Sequence, residues 1–322
     1  MHRKGNLTTG LMLPLVSAVV PTRNRTDLVC RAVRSALDQT YPHLEVVVVV
    51  DGPDPATVAA LGVMGDRRVR VVHLAQNVGG SEARNIGARE ARGKWIALLD
   101  DDDEWMNRKV QCQLEAILNQ SPNVVFSATA YLDKKRSGVT RQPRRFPLPV
   151  EPISNYIFSE LDAYGRRDCF MQTSTWIISR KYLLAHPFTS GLKKNQDTDW
   201  LLRFFPADPA HRAFVDEPLA IFHREPNIQR ISTTRDWRQT YDWAAVNRGL
   251  FTARSFAYLL MTECCRSASR QKESLRMIRF FWSQCDRRER YRAKLLFCAL
   301  IAFAHNAALS VSRGFQSITG VN

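Results

Sequence analysis

The sequence lacks paired cysteines. Its seven cysteines are scattered along 322 residues, without a C-x-x-C pair or a regular spacing. Zinc sites and disulfide frameworks need such spacings, so the sequence argues against both. We expect a protein of a reducing compartment that is stabilised by an apolar core, for which 45% hydrophobic residues are sufficient.

Long apolar segments are also missing. Residues 1–16 place basic residues before a short apolar patch, but Pro14 interrupts the patch and no small-residue cleavage site follows, so we predict no signal peptide. The apolar run at 295–311 contains His305 and Asn306 and only reaches the lower limit for a membrane span, about 17 residues. A buried or half-inserted helix is expected there.

Acidic residues are scarce relative to basic ones, 31 against 46, and the net charge is +15. Residues 134–145 carry six basic residues and no acid, and residues 266–294 carry ten basic residues against three acids. Such surfaces can meet phosphate groups or anionic lipid. A pI of 9.9 also suggests nucleic-acid binding, but no helix-turn-helix, zinc or RNA-recognition signature is present, so we expect no nucleic-acid partner.

The first 130 residues alternate apolar runs with amphipathic segments. Apolar runs end at Pro21, Asp51, Asn77 and Asp100, and a further run covers 123–131. This alternation predicts an α/β fold with a mainly parallel sheet covered by helices on both faces. Because ligands of such sheets bind outside the carboxyl ends of the strands, the polar residues after these runs are candidates for one shared crevice. The predicted helical segments are 25–39, 55–64, 81–91 and 105–119.

Four consecutive carboxylates, Asp100 to Asp103, follow the fourth apolar run in the stretch GKWIALLDDDDEW. Two aspartates separated by one residue can face one Mg²⁺ or Mn²⁺ ion while phosphate oxygens fill its remaining positions. The structural alternative is a solvated acidic turn that caps a helix starting near Trp105. The position after a buried strand, beside other polar strand ends, favours the metal and phosphate site.

Four segments of the chain resemble the family 2 glycosyltransferases. They are PTRNR, VVVVVDGPD, NVGGSEARNIGAREARGKWIALLDDDDEW and QDTDWLLR, and they follow the order and approximate spacing of that family over residues 14–224. The resemblance implies a GT-A fold, a UDP-, dTDP- or GDP-linked sugar as donor, and a divalent metal cofactor, Mn²⁺ or Mg²⁺. We place the GT-A domain at 14–230 and a helical, basic C-terminal region at 231–322.

The resemblance assigns donor contacts to the strand ends. The turn 21–24 corresponds to the family's contact with the nucleobase end of the donor, and Asp51 to the acid that bonds the base or ribose. This sequence departs from the family at VDGP, where Val50 replaces a first acid and Pro53 a serine. Arg84 corresponds to a residue near the donor, although an ion pair with a neighbouring acid would also account for it. The predicted donor-binding residues are Pro21, Thr22, Arg23, Asn24, Asp51, Arg84, Asp100 and Asp101.

The family's D-x-D pattern fits the four aspartates in two registers, Asp100 with Asp102 or Asp101 with Asp103. We prefer the first, since relatives commonly read D-x-D-D before an aromatic residue. In this register Asp102 is the principal metal ligand and Asp100 contacts the donor, while Asp100 and Asp103 are further candidate ligands. His223 could complete the metal shell, although a single histidine after a strand is more often structural.

The predicted general base lies at a helix start near Gln196. Asp197 and Asp199 fall in the first turn, where the helix dipole favours ionised carboxylates. The family carries an acidic pair there whose aspartate deprotonates the acceptor; Asp197 corresponds to it, and Gln196 stands where Glu is frequent. Asp199 is the alternative base, and helix capping is the structural alternative for both. A single base implies in-line attack with inversion, since no separate carboxylate nucleophile is found.

The C-terminal third has helical patterns at 236–265, 269–285 and 287–312. In the second pattern, large apolar side chains flanked by arginines share one face, which is typical of a helix at a lipid surface. A helical bundle is the equally weighted alternative, so an anionic membrane surface stays open as a partner. We expect a cytoplasmic protein, either dissolved or peripheral on the cytoplasmic face of the membrane. The apolar residues of this face are Leu275, Ile278, Phe281 and Trp282.

The predicted function is therefore an inverting, metal-dependent glycosyl transfer to an acceptor hydroxyl, with a lipid-linked or envelope glycan as acceptor. The alternative of a different class is a membrane-associated scaffold that keeps the sugar-nucleotide fold without turnover. A basic nucleic-acid-binding protein is the weaker alternative.

Overall fold

A computed structural model describes residues 13–160, 168–224, 236–269 and 274–290. The chain divides into two compact units, Met1–Pro149 with Met171–Ile228 and Val150–Phe170 with Gln229–Asn322. Residues 150–170 thus group with the C-terminal helices, while the predicted boundary at residue 230 stays a prediction.

One sheet forms the centre of the first unit. Its strands among the described residues are β1 (Val16–Thr22), β2 (Leu44–Val50), β3 (Val69–His73), β4 (Trp95–Leu98), β5 (Asp103–Trp105), β6 (Phe126–Lys135), β7 (Gly138–Gln142), β8 (Trp176–Ser179) and β9 (Arg212–His223). Their order is β3-β2-β1-β4-β8-β6-β9-β5, with β7 beside β6. The neighbours from β3 to β4 are parallel, which confirms the predicted arrangement of the first four apolar runs. Beyond β4 the sheet is mixed, since β8 is antiparallel to both β4 and β6 while β9 runs parallel to β6.

The amino-acid composition of β2 explains why this segment forms a buried strand in the parallel half of the sheet, from β3 to β4. β2 reads LEVVVVV, and its five consecutive β-branched valines favour a strand that is buried on both faces. All five are fully buried. The helix at Gly80–Glu90 packs so closely on β1 that a Cβ at Gly87 would overlap the side chain of Val19. Only glycine fits at this position.

The helices confirm the predicted segments at 25–39, 55–64 and 81–91, but the start of the fourth prediction is wrong. Instead of a helix from residue 105, Asp103–Trp105 forms β5 against β9, and the helix begins at Lys109. The Trp105 indole is buried and donates to Ser174 O at 2.7 Å, so tertiary packing overrides the local pattern. An acidic turn that caps a helix at Trp105 is therefore excluded. The helices are α1 (Thr26–Leu37), α2 (Pro55–Val63), α3 (Gly80–Glu90), α4 (Lys109–Gln120), α5 (Ile153–Ser159), α6 (Arg180–Ala185), α7 (Gln196–Phe204), α8 (Trp237–Val246), α9 (Ala253–Leu259), α10 (Cys265–Ser269), α11 (Ser274–Gln284) and α12 (Arg287–Arg290).

The second unit is helical. Phe281 of α11 is fully buried, and its ring lies 5.2 Å from that of Trp237 and 5.9 Å from that of Tyr241, both on α8. One member of the predicted lipid-facing set thus packs inside the unit, which favours the bundle alternative at this position. The side chains of Leu275 and Ile278 lie outside the described part of the chain.

No helix within the described residues is both long and apolar enough to cross a membrane. Of the predicted helix at 287–312 only the first turn, α12, is described, and the apolar run at 295–311 lies outside the described residues. The predicted cytoplasmic location stays a prediction.

The first basic segment, residues 134–145, covers the end of β6, the turn to β7, all of β7 and the three residues after it. Lys135 pairs with Asp133 at 2.9 Å, and Arg141 pairs with Asp216. Acids outside the segment therefore offset part of its charge, and the segment is less positive than its own residues indicate.

Candidate active site

The carboxyl ends of three neighbouring strands form one wall of the candidate site. β2, β1 and β4 lie side by side, and hydrogen bonds from Asp51 N to Thr22 O (2.9 Å) and from Leu99 N to Val19 O (3.1 Å) extend the ladders to their ends. Thr22, Asp51 and the first residues after Leu99 therefore lie at one edge of the sheet, as the sequence predicts.

The four aspartates form a closed turn. Asp103 N donates to Asp100 O at 3.1 Å, and residues Asp100–Asp103 are here called the aspartate turn. Asp101, Asp102 and Asp103 are 6%, 7% and 0% exposed. Buried carboxylates are costly unless hydrogen-bond donors or cations compensate them. The partners of each aspartate therefore determine the role that it can take.

Asp101 is held by the end of β1. Its Oδ2 accepts a hydrogen bond from Thr22 Oγ1 at 2.8 Å, and its Oδ1 accepts one from Arg25 Nη1 at 2.9 Å. Burial raises the pKa of Asp101 to about 6, against the opposing charge of Arg25. Both oxygens are engaged within the protein, and a donor contact by Asp101 stays a prediction. Arg25 could not be selected as a site residue from the sequence, because nothing local in PTRNR shows that its guanidinium reaches the neighbouring strand end.

Arg84 joins the aspartate turn to α7. Its Nη2 lies 2.5 Å from Asp100 Oδ1, and its Nη1 donates to Gln196 Oε1 at 2.8 Å. Burial alone would lower the pKa of Arg84, but the carboxylates of Asp100, Asp197 and Asp101 outweigh burial and raise it. One guanidinium thus connects the predicted donor contact with the helix that carries the predicted base.

Asp103 is held by residues that the sequence analysis did not select. Gln172 Nε2 donates to Asp103 Oδ2 at 2.6 Å, and Ser174 Oγ donates to the same oxygen at 2.7 Å. The signal in the sequence is the polar run QTST at 172–175, directly before the apolar strand β8. A polar run before a buried strand marks a strand start, but it does not show which acid it meets.

Asp51 fixes the loop that enters α3. Its two carboxylate oxygens accept the N–H groups of Val78 and Gly79 at 2.7 and 3.0 Å, and the residue is 5% exposed. A carboxylate offers about four lone-pair positions, so these bonds are compatible with a further contact to a ligand. The base or ribose contact of Asp51 stays a prediction.

The turn after β1 is fixed from α2. Asn24 has a positive φ of 53°, and its N–H donates to Asp54 Oδ2 at 2.9 Å, while Asp54 Oδ1 caps α2 by accepting Thr57 N–H at 3.1 Å. Pro21 is half-buried, and Arg23 and Asn24 are exposed. Within this predicted donor-binding turn, the Thr22 side chain is directed to Asp101.

The first turn of α7 separates the two predicted bases. Asp199 is 1% exposed, and its Oδ2 accepts hydrogen bonds from Thr189 Oγ1 at 2.7 Å and from Arg203 Nε at 3.0 Å. Asp197 is half-buried, accepts the Thr198 N–H at 2.7 Å, and interacts electrostatically with Arg84. Asp199 is therefore engaged in an ion pair within the protein. Asp197 instead interacts with Arg84, the side chain that joins α7 to the aspartate turn and is here called the Arg84 bridge.

Asp102 is the predicted principal ligand of a divalent ion, and this metal role stays a prediction. Within the described residues, no group of three or more His, Cys, Asp and Glu side chains is arranged to hold a metal. Mg²⁺ beside phosphates commonly uses only one or two carboxylates, with phosphate oxygens and waters as the other ligands. The Asp102 side chain is 10% exposed and lies 3.5 Å from Arg25 Nη1. These residues suit one principal carboxylate ligand rather than a closed protein cage.

His223 contacts Glu104 at the end of β9, with 2.7 Å between Nε2 and Oε1. Its neighbour Phe222 pairs with Asp103, so His223 lies beside the aspartate turn. Burial lowers the pKa of His223, and Arg31 lowers it further, which outweighs the opposing effect of Glu104. A neutral imidazole is the metal-binding form, but the contact with Glu104 gives His223 a structural role, and a metal role stays a prediction.

Known sequences resemble the chain over much of its length. The family model described as glycosyl transferase family 2 matches residues 17–186, which is more than half of the chain. TuaG of Bacillus subtilis strain 168, whose name assigns it to teichuronic acid biosynthesis, is 38% identical over 120 residues, 37% of this chain and 47% of TuaG. WcaA of Escherichia coli strain K12, whose name assigns it to colanic acid biosynthesis, is 28% identical over 255 residues, 77% of this chain and 87% of WcaA. The matched region thus spans about half of the first relative and most of the second.

A known structure resembles the fold. The crystal structure of S. aureus TarS residues 1–349 in complex with UDP-GlcNAc aligns with a TM-score of 0.61 and covers 91% of this chain and 92% of that one. The two sequences are 16% identical. At this identity the similarity concerns the fold, and it confirms the predicted fold class.

Proposed function

The chain belongs to glycosyltransferase family 2, and on this premise we propose that it transfers a sugar from a nucleotide-diphosphate donor to an acceptor hydroxyl, with inversion at the anomeric carbon. The observation that carries the proposal is the Arg84 bridge. By binding Asp100 and Gln196 with one guanidinium, Arg84 brings the base helix α7 next to the aspartate turn. A donor that lies on the turn then has an acceptor-side carboxylate within reach.

Asp197 is the proposed general base. It accepts the proton of the acceptor hydroxyl as the oxygen attacks the anomeric carbon in line with the departing diphosphate. Asp199 is the less suitable base, since Thr189 and Arg203 already occupy its Oδ2. Asp197 interacts electrostatically with Arg84, the side chain that also binds Asp100 of the aspartate turn.

The donor is proposed to bind along the strand ends, with its base or ribose near Asp51 and its diphosphate near Asp100 and Asp102. Asp102 would hold Mn²⁺ or Mg²⁺, which supplies compensation for the charge of the leaving diphosphate. The ion pair between Arg84 and Asp100 supports this proposal, since it holds Asp100 at the strand end where the diphosphate would bind.

The acceptor is proposed to be a growing glycan, lipid-linked or part of the cell envelope. The names of TuaG and WcaA, which refer to teichuronic acid and colanic acid biosynthesis, support a polysaccharide acceptor. Contact with an anionic membrane surface would then bring the enzyme to a lipid-borne acceptor.

The experiment offers the purified chain a panel of UDP-, dTDP- and GDP-sugars with Mn²⁺ or Mg²⁺ and measures release of the nucleoside diphosphate. We expect turnover with at least one donor, dependence on the metal, and a loss of about 100-fold or more in Asp102→Asn, because metals contribute several kcal/mol of charge stabilisation. Asp27→Asn, an exposed acid in the first turn of α1, is the control and should keep wild-type turnover. A wild type that is inert toward every donor would instead support the scaffold alternative.

A further inference from the structure

A short turn before β8 lies against the aspartate turn. It comprises Gln172 and the 3₁₀ segment Thr173–Thr175, and we call the side chains of Gln172 and Ser174 the polar clasp. We propose that the polar clasp has a positioning role. It holds the two ends of the aspartate turn, Asp100 and Asp103, and thereby sets the position of Asp102. The inference rests on the proposed function and identifies two residues that set the geometry of its metal and donor site.

Ser174 alone contacts both ends of the aspartate turn, Asp100 and Asp103. Its Oγ accepts the N–H of Asp100 at 3.0 Å and donates its hydrogen to Asp103 Oδ2 at 2.7 Å. A hydroxyl has one hydrogen to donate and can accept at its lone pairs, so both bonds are satisfied at once. Ser174 is fully buried, which leaves no water to replace these contacts.

Gln172 adds the second link. Its Nε2 donates to Asp103 Oδ2 at 2.6 Å and lies 3.3 Å from Asp100 Oδ2. Its Oε1 accepts the N–H of Ser174 at 2.7 Å, and this bond fixes which end of the amide faces the acids. The residue is 7% exposed. The amide therefore presents its donor side to two carboxylates without adding charge.

The polar clasp acts on a turn whose other contacts are already in place. The backbone bond from Asp103 to Asp100 closes it, Arg25 and Thr22 hold Asp101, and Arg31 Nη2 donates to Asp102 O at 3.0 Å. The clasp adds bonds to both ends of this closed turn. Ligand orientation by such outer contacts typically changes metal affinity or activity by about 10–100-fold.

Substitution of Ser174 by threonine and valine tests the hydroxyl apart from packing. The two side chains have the same shape, and both add a methyl group at a buried position, but only threonine keeps the O–H. Mn²⁺ binding to the full chain is measured by the loss of the free-ion EPR signal, alone and with UDP, dTDP or GDP. Donor turnover gives kcat and KM, and thermal unfolding is followed in parallel.

We expect Ser174→Val to weaken Mn²⁺ binding by about tenfold or more and to lower kcat, while Ser174→Thr stays within about threefold of the wild type. Ser174→Val should also have a lower Tm than Ser174→Thr, because it leaves the buried Asp100 N–H without its partner, so Mn²⁺ affinities are compared at a temperature well below both Tm values. Equal Mn²⁺ affinities and turnover in the two variants would overturn the positioning role, since the added methyl group would then account for any change from the wild type.

A glutamine pair covers the case in which neither Ser174 variant folds. Gln172→Met removes the amide at similar volume, and Gln120→Met does the same at a glutamine whose Nε2 donates to Pro209 O and Arg212 O beside the end of α4, away from the polar clasp and the aspartate turn. The first should lose Mn²⁺ affinity, and the second should lose only stability; the same affinity in both would contradict the proposal. A wild type that binds no Mn²⁺ with any of the three nucleotides would overturn the proposed metal site and this inference together.

Discussion

The aspartate turn and the first turn of α7 both carry neighbouring aspartates, and each includes a carboxylate that is at most 1% exposed, Asp103 in the first and Asp199 in the second. Asp103 is held by Gln172 and Ser174, 69 and 71 residues away in the chain. Asp199 is held by Thr189 and Arg203, 10 and 4 residues away. Local contacts can therefore hold Asp199, whereas Asp103 is held only when the distant turn before β8 lies in place.

The largest expected effect is a loss of turnover on substitution of Asp197. Substitution of its neighbour Asp199 should instead lower stability. Asp197→Asn should lower turnover by about 10²–10⁴-fold, the usual contribution of a general base, and leave the Tm close to that of the wild type. Asp199→Asn should lower the unfolding free energy by about 1–3 kcal/mol, because the amide cannot satisfy Arg203 as the carboxylate does. Steady-state kinetics and urea unfolding of both variants measure the two effects.

A reversed outcome would change the assignment. If Asp199→Asn abolished turnover at unchanged stability while Asp197→Asn remained active, Asp199 would be the base and the local ion pair with Arg203 would be part of the mechanism. Asp27→Asn again supplies the control for a first-turn acid.

The second prediction concerns Arg84, whose side chain connects the aspartate turn with α7. Arg84→Lys keeps a positive charge but loses the planar fork that serves Asp100 and Gln196 at once. We expect kcat to fall by about 10–100-fold, since a misplaced reacting group costs about this much, with a smaller change in the binding of the nucleoside diphosphate.

A double-mutant cycle with Gln196→Ala measures the bridge itself. Groups in one hydrogen-bond network show coupling energies of about 0.5–3 kcal/mol, and we expect a value in this range for transition-state stabilisation. Additive effects of the two substitutions would mean that Arg84 acts on the donor side alone.

The sequence predicts the parallel half of the sheet because each of its strands is a continuous apolar run followed by a polar turn. It does not predict β5, because the three residues Asp103–Trp105 have no strand pattern and become a strand only by pairing with β9, more than 100 residues later. Local periodicity carries no information about such distant partners.

The candidate site shows the same limit at the level of side chains. The acids at the strand ends can be selected from their position in the sequence. Four consecutive aspartates, however, do not show which of them contacts which partner. Arg25, Gln172 and Ser174 decide this, and each reaches its aspartate from a distant part of the chain. Gln196 could be identified only as a departure from the family, and its contact with Arg84 gives the departure a physical meaning.

The smallest expected effect concerns Lys109, which contacts the ring of Trp105 at the end of β5. Lys109, at the start of α4, is fully buried; its Nζ donates to Gln113 Oε1 at 2.7 Å and lies 4.4 Å from the ring centre of Trp105. Burial holds the pKa of Lys109 well below its usual value. The unfolded chain therefore binds a proton at this side chain more readily than the folded protein does, and this difference weakens the fold below the usual pKa of lysine and disappears as the pH rises toward about 10.4.

Lys109→Met removes the titrating group at similar volume. Relative to the wild type, its Tm should be higher at pH 7 than at pH 10, because only the wild type bears the cost of the proton at the lower pH. Lost packing and the lost bond to Gln113 lower both values alike, so the pH dependence of the difference is the quantity to measure, by thermal unfolding at the two pH values. A difference that does not change with pH would show that Lys109 is charged in the folded protein. That cation would then be stabilised by the Trp105 ring, whereas the cation of the α7 turn, Arg203, is stabilised by an ion pair with Asp199.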